Sequence, residues 1–98
     1  LANQNSNQEK LRLGIEAARR GDKPAAEMLL RQVTVSDPQN EMAWLWLASV
    51  VSDVTERRRY LEKVVTINPD NTRAQEALQR LTGGQARPEG RQVVGQLR

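Results

Sequence analysis

The chain has no cysteine, no histidine and no phenylalanine. Without cysteine it can form neither a disulfide framework nor a thiolate metal site, which excludes small stapled secreted scaffolds and fits a reducing, cytoplasmic setting. Without histidine it lacks the commonest metal ligand and the side chain most used for proton transfer near neutral pH. A catalyst would have to work with carboxylates, lysine, serine and the single tyrosine, Tyr60. Glycine pairs only as Gly83-Gly84, with none of the Lys and Ser/Thr of a phosphate-binding loop. Ser49, Ser52 and Asp53 lie close together but have no base to activate a nucleophile, and Asp53 is better read as a helix cap. The chain is therefore expected to be no enzyme and to hold no metal and no cofactor.

Long apolar runs are missing as well. No stretch approaches the roughly 18 apolar residues that span a bilayer, and the start, Leu1-Ala2-Asn3-Gln4-Asn5-Ser6-Asn7-Gln8, has no basic-then-apolar signal pattern. The beginning at Leu1 rather than Met suggests a fragment of a larger protein. At 98 residues the chain is of single-domain length. With two tryptophans and one tyrosine as its only aromatics, the interior must come from Leu, Val, Ile and Ala packed between helices. The net charge of +3 is uneven: residues 9–81 carry +1, and residues 82–98 carry +2 through Arg87, Arg91 and Arg98 against Glu89. The basic excess is mostly a tail property, and with no aromatic interleaving for base stacking, specific nucleic-acid binding is not expected.

The residues present read as helices separated by turn chemistry. Residues 1–8 form a polar, flexible lead-in. From Glu9 to Arg20, Leu13 and Ala17 recur at helical spacing, and Glu16 can pair with Arg20. Gly21-Asp22-Lys23-Pro24 then supplies a helix-ending glycine, an N-cap and a proline in the next first turn. A second helix runs to about Val35, with Ala26, Leu29, Leu30 and Val33 inward and Glu27 paired to Arg31. A third runs from about Glu41 to Val51, and Asp53-Val54-Thr55-Glu56 reads as a capping box for a fourth, which ends near Ile67 with Leu61, Val64 and Val65 inward. Thr72–Leu81 is a fifth, with Ala74, Leu78 and Leu81 inward and Glu76 paired to Arg80. Residues 82–98, rich in Gly, Gln and Arg, are expected to be a disordered basic tail.

Two of the breaks repeat. Val33-Thr34-Val35-Ser36-Asp37-Pro38-Gln39-Asn40 parallels Val64-Val65-Thr66-Ile67-Asn68-Pro69-Asp70-Asn71 at an offset of 31 residues, the mark of stacked supersecondary units. Asp37-Pro38-Gln39-Asn40 followed by Trp44-x-x-Leu47-Ala48-x-x-Val51 resembles the tetratricopeptide repeat (TPR) signature, with Ala and Val replacing its Gly and Tyr. The first unit resembles it through Leu13-Gly14-x-x-Ala17, Gly21, Ala26-x-x-x-Leu30 and Pro38, with Lys10 where the family has Trp. The second unit is three residues short at the turn around Asp53 and carries Arg57 where a small Ala is usual. The run Glu41-Met42-Ala43-Trp44-Leu45-Trp46-Leu47-Ala48 also looks like a short two-repeat variant found in larger bacterial proteins. The resemblance covers about residues 7–81. It implies an all-α fold of two TPR-like hairpins (about 9–35 and 41–67) and a C-terminal capping helix (about 72–81), five helices in a right-handed superhelical stack. It also implies a protein–protein interaction role, as scaffold or adaptor, without catalysis.

The third helix is apolar nearly all round, more than one hairpin interface can cover. In the family fold Trp44, Leu47, Ala48 and Val51 face the partner helix, whereas Met42, Leu45, Trp46 and Ser49 face a concave groove together with Leu11 and Ile15. Arg73 is the one groove position able to hold a carboxylate. Where some family members capture a peptide's terminal carboxylate, this chain has Leu11, Ile15, Trp46, Arg73 and Ala77, so such capture is not expected. A mostly apolar groove suits an apolar or amphipathic segment of another protein, with Trp46 as anchor. The same surface also fits a homodimer, the chain's own tail through Val93, Val94 and Leu97, or simple coverage by the cap helix and the N-terminal segment. Arg57, Arg58 and Arg59, together with Arg19 and Arg20, form a possible basic patch for phosphate or an acidic partner, set against the plainer reading of a solvated helix face with Arg58 paired to Glu62.

Overall fold

The computed structural model describes the backbone of residues 2–86 and the side chains of residues 6–81. Among the described residues the fold is all-helical: α1 (Ala2–Arg19), α2 (Lys23–Ser36), α3 (Glu41–Val50), α4 (Val54–Ile67) and α5 (Thr72–Ala86). Each helix packs on the next in the chain, and α1 also reaches α3.

Local chemistry sets the boundaries. Gly21 ends α1 at φ 85°, a conformation that costs glycine little. Asp22 then accepts from the Ala25 N–H at 3.3 Å, and Pro24 sits in the first turn of α2. Asp53 caps α4 in the same way, accepting from Glu56 N–H at 3.3 Å. The two similar turns match bond for bond at the 31-residue offset. Asp37 N–H donates to Val33 C=O at 2.7 Å and Asn68 N–H to Val64 C=O at 2.8 Å; Asn40 Oδ1 accepts from Ala43 N–H at 3.0 Å and Asn71 Oδ1 from Ala74 N–H at 2.9 Å. Even the side chains six residues past the turn correspond: Trp44 Nε1 donates to Pro38 C=O at 2.8 Å, and Gln75 Nε2 donates to Pro69 C=O. Glu41 links the turns, its Oε2 accepting from Asn68 Nδ2 at 2.9 Å and from Asn71 Nδ2.

Two apolar clusters fill the interior. Ala17, Ala26, Leu30, Leu47, Val50 and Val51 make one and Ala48, Leu61, Val64 and Ala74 the other. Leu30, Leu47, Val33 and Val64 are essentially sealed from solvent, each contributing about 1.5–3 kcal/mol. Trp44 and Tyr60 touch both clusters, with ring centroids 5.6 Å apart. Arg31 ties α2 into this joint: its Nη1 donates to the Tyr60 hydroxyl at 2.9 Å while its Nε donates to Glu27 at 3.0 Å, and the Glu27 hydrogen bond leads the effects that raise its pKa.

Several sequence expectations change. Helix α1 begins at Ala2, so the described part of the segment 1–8 is helical and continuous with the first hairpin. Asn and Gln lower helix propensity only modestly, and no Gly or Pro stops the helix from running back. Helix α5 continues past Leu81 to Ala86, because Thr82-Gly83-Gly84 weakens a helix by about 1 kcal/mol per glycine without blocking it. The rest of the expected tail, 87–98, and the docking of Val93, Val94 and Leu97 lie outside the described residues. Of the pair Leu13 and Ala17 that recurs at helical spacing, Ala17 is buried and Leu13 is 38% exposed; the buried stripe of α1 runs through Gly14 and Ala17. Glu16 pairs with Arg12 at 2.7 Å rather than with Arg20, which lies 3.8 Å from Asp22.

Candidate functional site

An open groove of about 430 Å³ lies between α3 and α5, with α4 beneath. Leu45, Trp46, Ala48 and Ser49 come from α3, Arg57 and Leu61 from α4, and Arg73, Glu76, Ala77 and Arg80 from α5. The volume falls within the range of small-ligand and side-chain pockets. Its floor is apolar: Ala48 and Leu61 are core residues, 2% and 3% exposed. Ser49 turns its hydroxyl back onto its own helix, donating to Trp46 C=O at 2.6 Å.

Of the groove residues expected from the sequence, Leu45, Trp46, Ser49 and Arg73 line this groove, and Leu11, Ile15 and Met42 do not. Leu11 packs against the first core cluster, as Trp46 does, Ile15 is half-buried on α1, and Met42 is 46% exposed. The reason is the approach of α1. A Cβ built on Gly14 would stand 2.9 Å from Leu30 Cγ, so this glycine allows α1 to close on α2. From there α1 also covers part of α3, and Arg19 lies over the Trp46 ring at 5.6 Å.

The three arginines Arg57, Arg58 and Arg59 do not form one patch. Arg57 lines the groove, Arg58 is half-buried and Arg59 is exposed, as the 100° step of a helix requires. Arg57 carries the consequence of the short α3–α4 connection, whose residues 51–53 lie outside either helix. Its Nη2 donates to Val51 C=O at 2.7 Å, capping the carbonyl that the end of α3 leaves open. Two donors at the groove, Trp46 Nε1–H and Arg57 Nε–H, are buried without an acceptor among the described residues. The lining residues that sequence reasoning missed are chiefly Arg57, Glu76 and Arg80. Arg80 and Arg73 are seven residues apart, hence on one face of α5, and that spacing is the signal present in the sequence.

No model of a known protein family matches the chain, and no curated protein sequence matches it. No helix among the described residues is long and apolar enough to cross a membrane.

Proposed function

We propose that the chain is a non-catalytic, TPR-like interaction module that binds an apolar or amphipathic segment of another protein between α3 and α5. The observation that carries this reading is the groove itself, with an apolar floor of Leu45, Ala48, Leu61 and Ala77 and a tryptophan on its wall. Tryptophan dominates interface hot spots because it presents a large, rigid apolar surface with one polar handle. The TPR-like reading is supported by the paired turns, whose hydrogen bonds recur at one fixed offset, as stacked repeats require. Engagement of the Ser49 hydroxyl within its own helix, in a groove with no histidine, supports a binding rather than a catalytic role.

Self-association has less support. Of the large apolar residues of α3 that raised it, Leu47 and Val50 are buried and Trp44, Leu45 and Trp46 half-buried, which leaves Met42 as the exposed one. The test is titration of the isotope-labelled full chain with an acetylated, amidated, leucine-faced amphipathic peptide carrying glutamine flanks. Amide shifts are expected at Leu45, Ser49 and Ala77, with a change in tryptophan emission that Ser49→Tyr abolishes by filling the groove. Shifts confined to other surfaces, or a light-scattering mass that doubles over the same concentration range without peptide, refute the reading.

A further inference from the structure

The groove's rim is more selective than its floor. Its charged side chains are Arg57, Arg73 and Arg80 against the single acid Glu76. Arg57 is committed to the Val51 carbonyl, but Arg73 and Arg80 are exposed and make no ion pair among the described residues. They sit seven residues apart on one face of α5, about 10.5 Å along its axis at 1.5 Å per residue. Glu76 lies between them, three residues past Arg73 and four before Arg80.

Resting on the groove-binding reading above, we infer that the partner is an acidic amphipathic helix whose apolar stripe is flanked by two carboxylates at i and i+7, with no acid midway. Two such carboxylates repeat at the spacing of the two guanidiniums, so one helix lying along α5 meets both at once. An acid midway would face Glu76 and be repelled. The charge pattern also separates the occupants that compete for this surface. The chain's own tail has apolar Val93, Val94 and Leu97, but residues 82–98 carry +2 and would bring like charge to a cationic rim. Recognition lies along the partner helix rather than at a chain terminus, so a peptide with an amidated end binds as well as one with a free end.

Four acetylated and amidated leucine-faced peptides test this against the full chain by fluorescence anisotropy, with Glu at i and i+7, Glu at i and i+5, Gln at i and i+7, and Lys at i and i+7. The Glu i,i+7 peptide is expected to bind about fivefold more tightly than the Gln peptide at low salt, as two exposed pairs allow, and to lose that advantage at high salt. The i,i+5 peptide should gain little and the Lys peptide should bind most weakly. The double variant Arg73→Glu/Arg80→Glu, both positions exposed and its helicity checked by circular dichroism, should reverse the order of the Glu and Lys peptides. Equal affinity for all four overturns the charge selection and leaves groove binding standing. Glu peptides that differ only by composition, with i,i+5 equal to i,i+7, overturn the spacing. Failure of every peptide, the Gln peptide included, overturns the groove reading itself.

Discussion

Replacing Gly14 by alanine sets two effects against each other, and the structure gives the sign. Alanine in a helix interior is favoured over glycine by about 1 kcal/mol. Against this, the new methyl would stand 2.9 Å from Leu30 Cγ, 3.0 Å from Leu30 Cδ2 and 3.4 Å from Leu29 Cβ. Leu30 is 0% exposed, so its side chain has no solvent to move into, and its Cγ is too near the backbone to swing away alone. Overpacking of a closed core typically costs about 1–3 kcal/mol, so the net effect is a loss of about 1 kcal/mol. Urea unfolding followed by tryptophan emission measures it, with an unchanged slope showing that the two states are the same. The double variant Gly14→Ala/Leu30→Val is the sharper check. Leu30→Val alone opens a void, and the methyl introduced by Gly14→Ala partly fills it, so the two substitutions should couple favourably by about 1 kcal/mol. Stabilisation by Gly14→Ala, or strict additivity, would refute the close approach of α1 to α2.

Two further outcomes follow from the polar contacts. Glu41→Ala leaves Asn68 and Asn71 without their shared acceptor and should cost about 1–2 kcal/mol, or a melting temperature lower by roughly 5–10 °C, with Glu41→Gln costing less; an unchanged melting curve would show that the turns do not depend on this bridge. Glu9 is held below the usual carboxylate range, first by its hydrogen bond to the Arg12 guanidinium and then by that group's charge, so the pair's contribution is present above the ordinary glutamate pKa and is lost as the pH falls through the lowered value. Carbon NMR of the Glu9 carboxyl should titrate below that of a free peptide, and Arg12→Gln should return it; a midpoint at or above the free-peptide value contradicts the contact.

The parts legible in the sequence are those made by local chemistry. Gly21-Asp22-Lys23-Pro24, Asp53 and the paired Pro38 and Pro69 turns stop and start helices with bonds that span a few residues, so five helices and most of their ends can be read directly. The buried faces of α2 and α4 are legible for a similar reason, since large apolar residues recur there at helical spacing. Helix α1 is not, because its buried stripe is built of Gly14 and Ala17, which carry little hydrophobic signal, while the conspicuous Leu13 faces outward. The groove was half legible. Its α3 wall follows from a helix apolar on every side, but its extent depends on how far α1 closes, which only packing decides. Arg57, Arg73 and Arg80 are separated in sequence by up to 23 residues and meet only through the α4–α5 turn.

The two helical hairpins shape the groove in different ways, the first through Gly14 and the second through Arg57. In the first, Gly14 lets α1 close on α2, and Leu11 packs against the first core cluster. In the second, residues 51–53 alone join α3 to α4; the Val51 carbonyl is left open by the end of α3, and Arg57 answers it from the groove. Both act in the same direction, removing apolar surface at one end and placing guanidinium charge at the other. What is left is a short groove with an apolar floor and cationic edges. In the binding mode proposed above, such a groove would discriminate by the charge its partner carries beside its apolar stripe, because the floor alone would accept any hydrophobic helix and like charge at the rim would exclude the wrong ones.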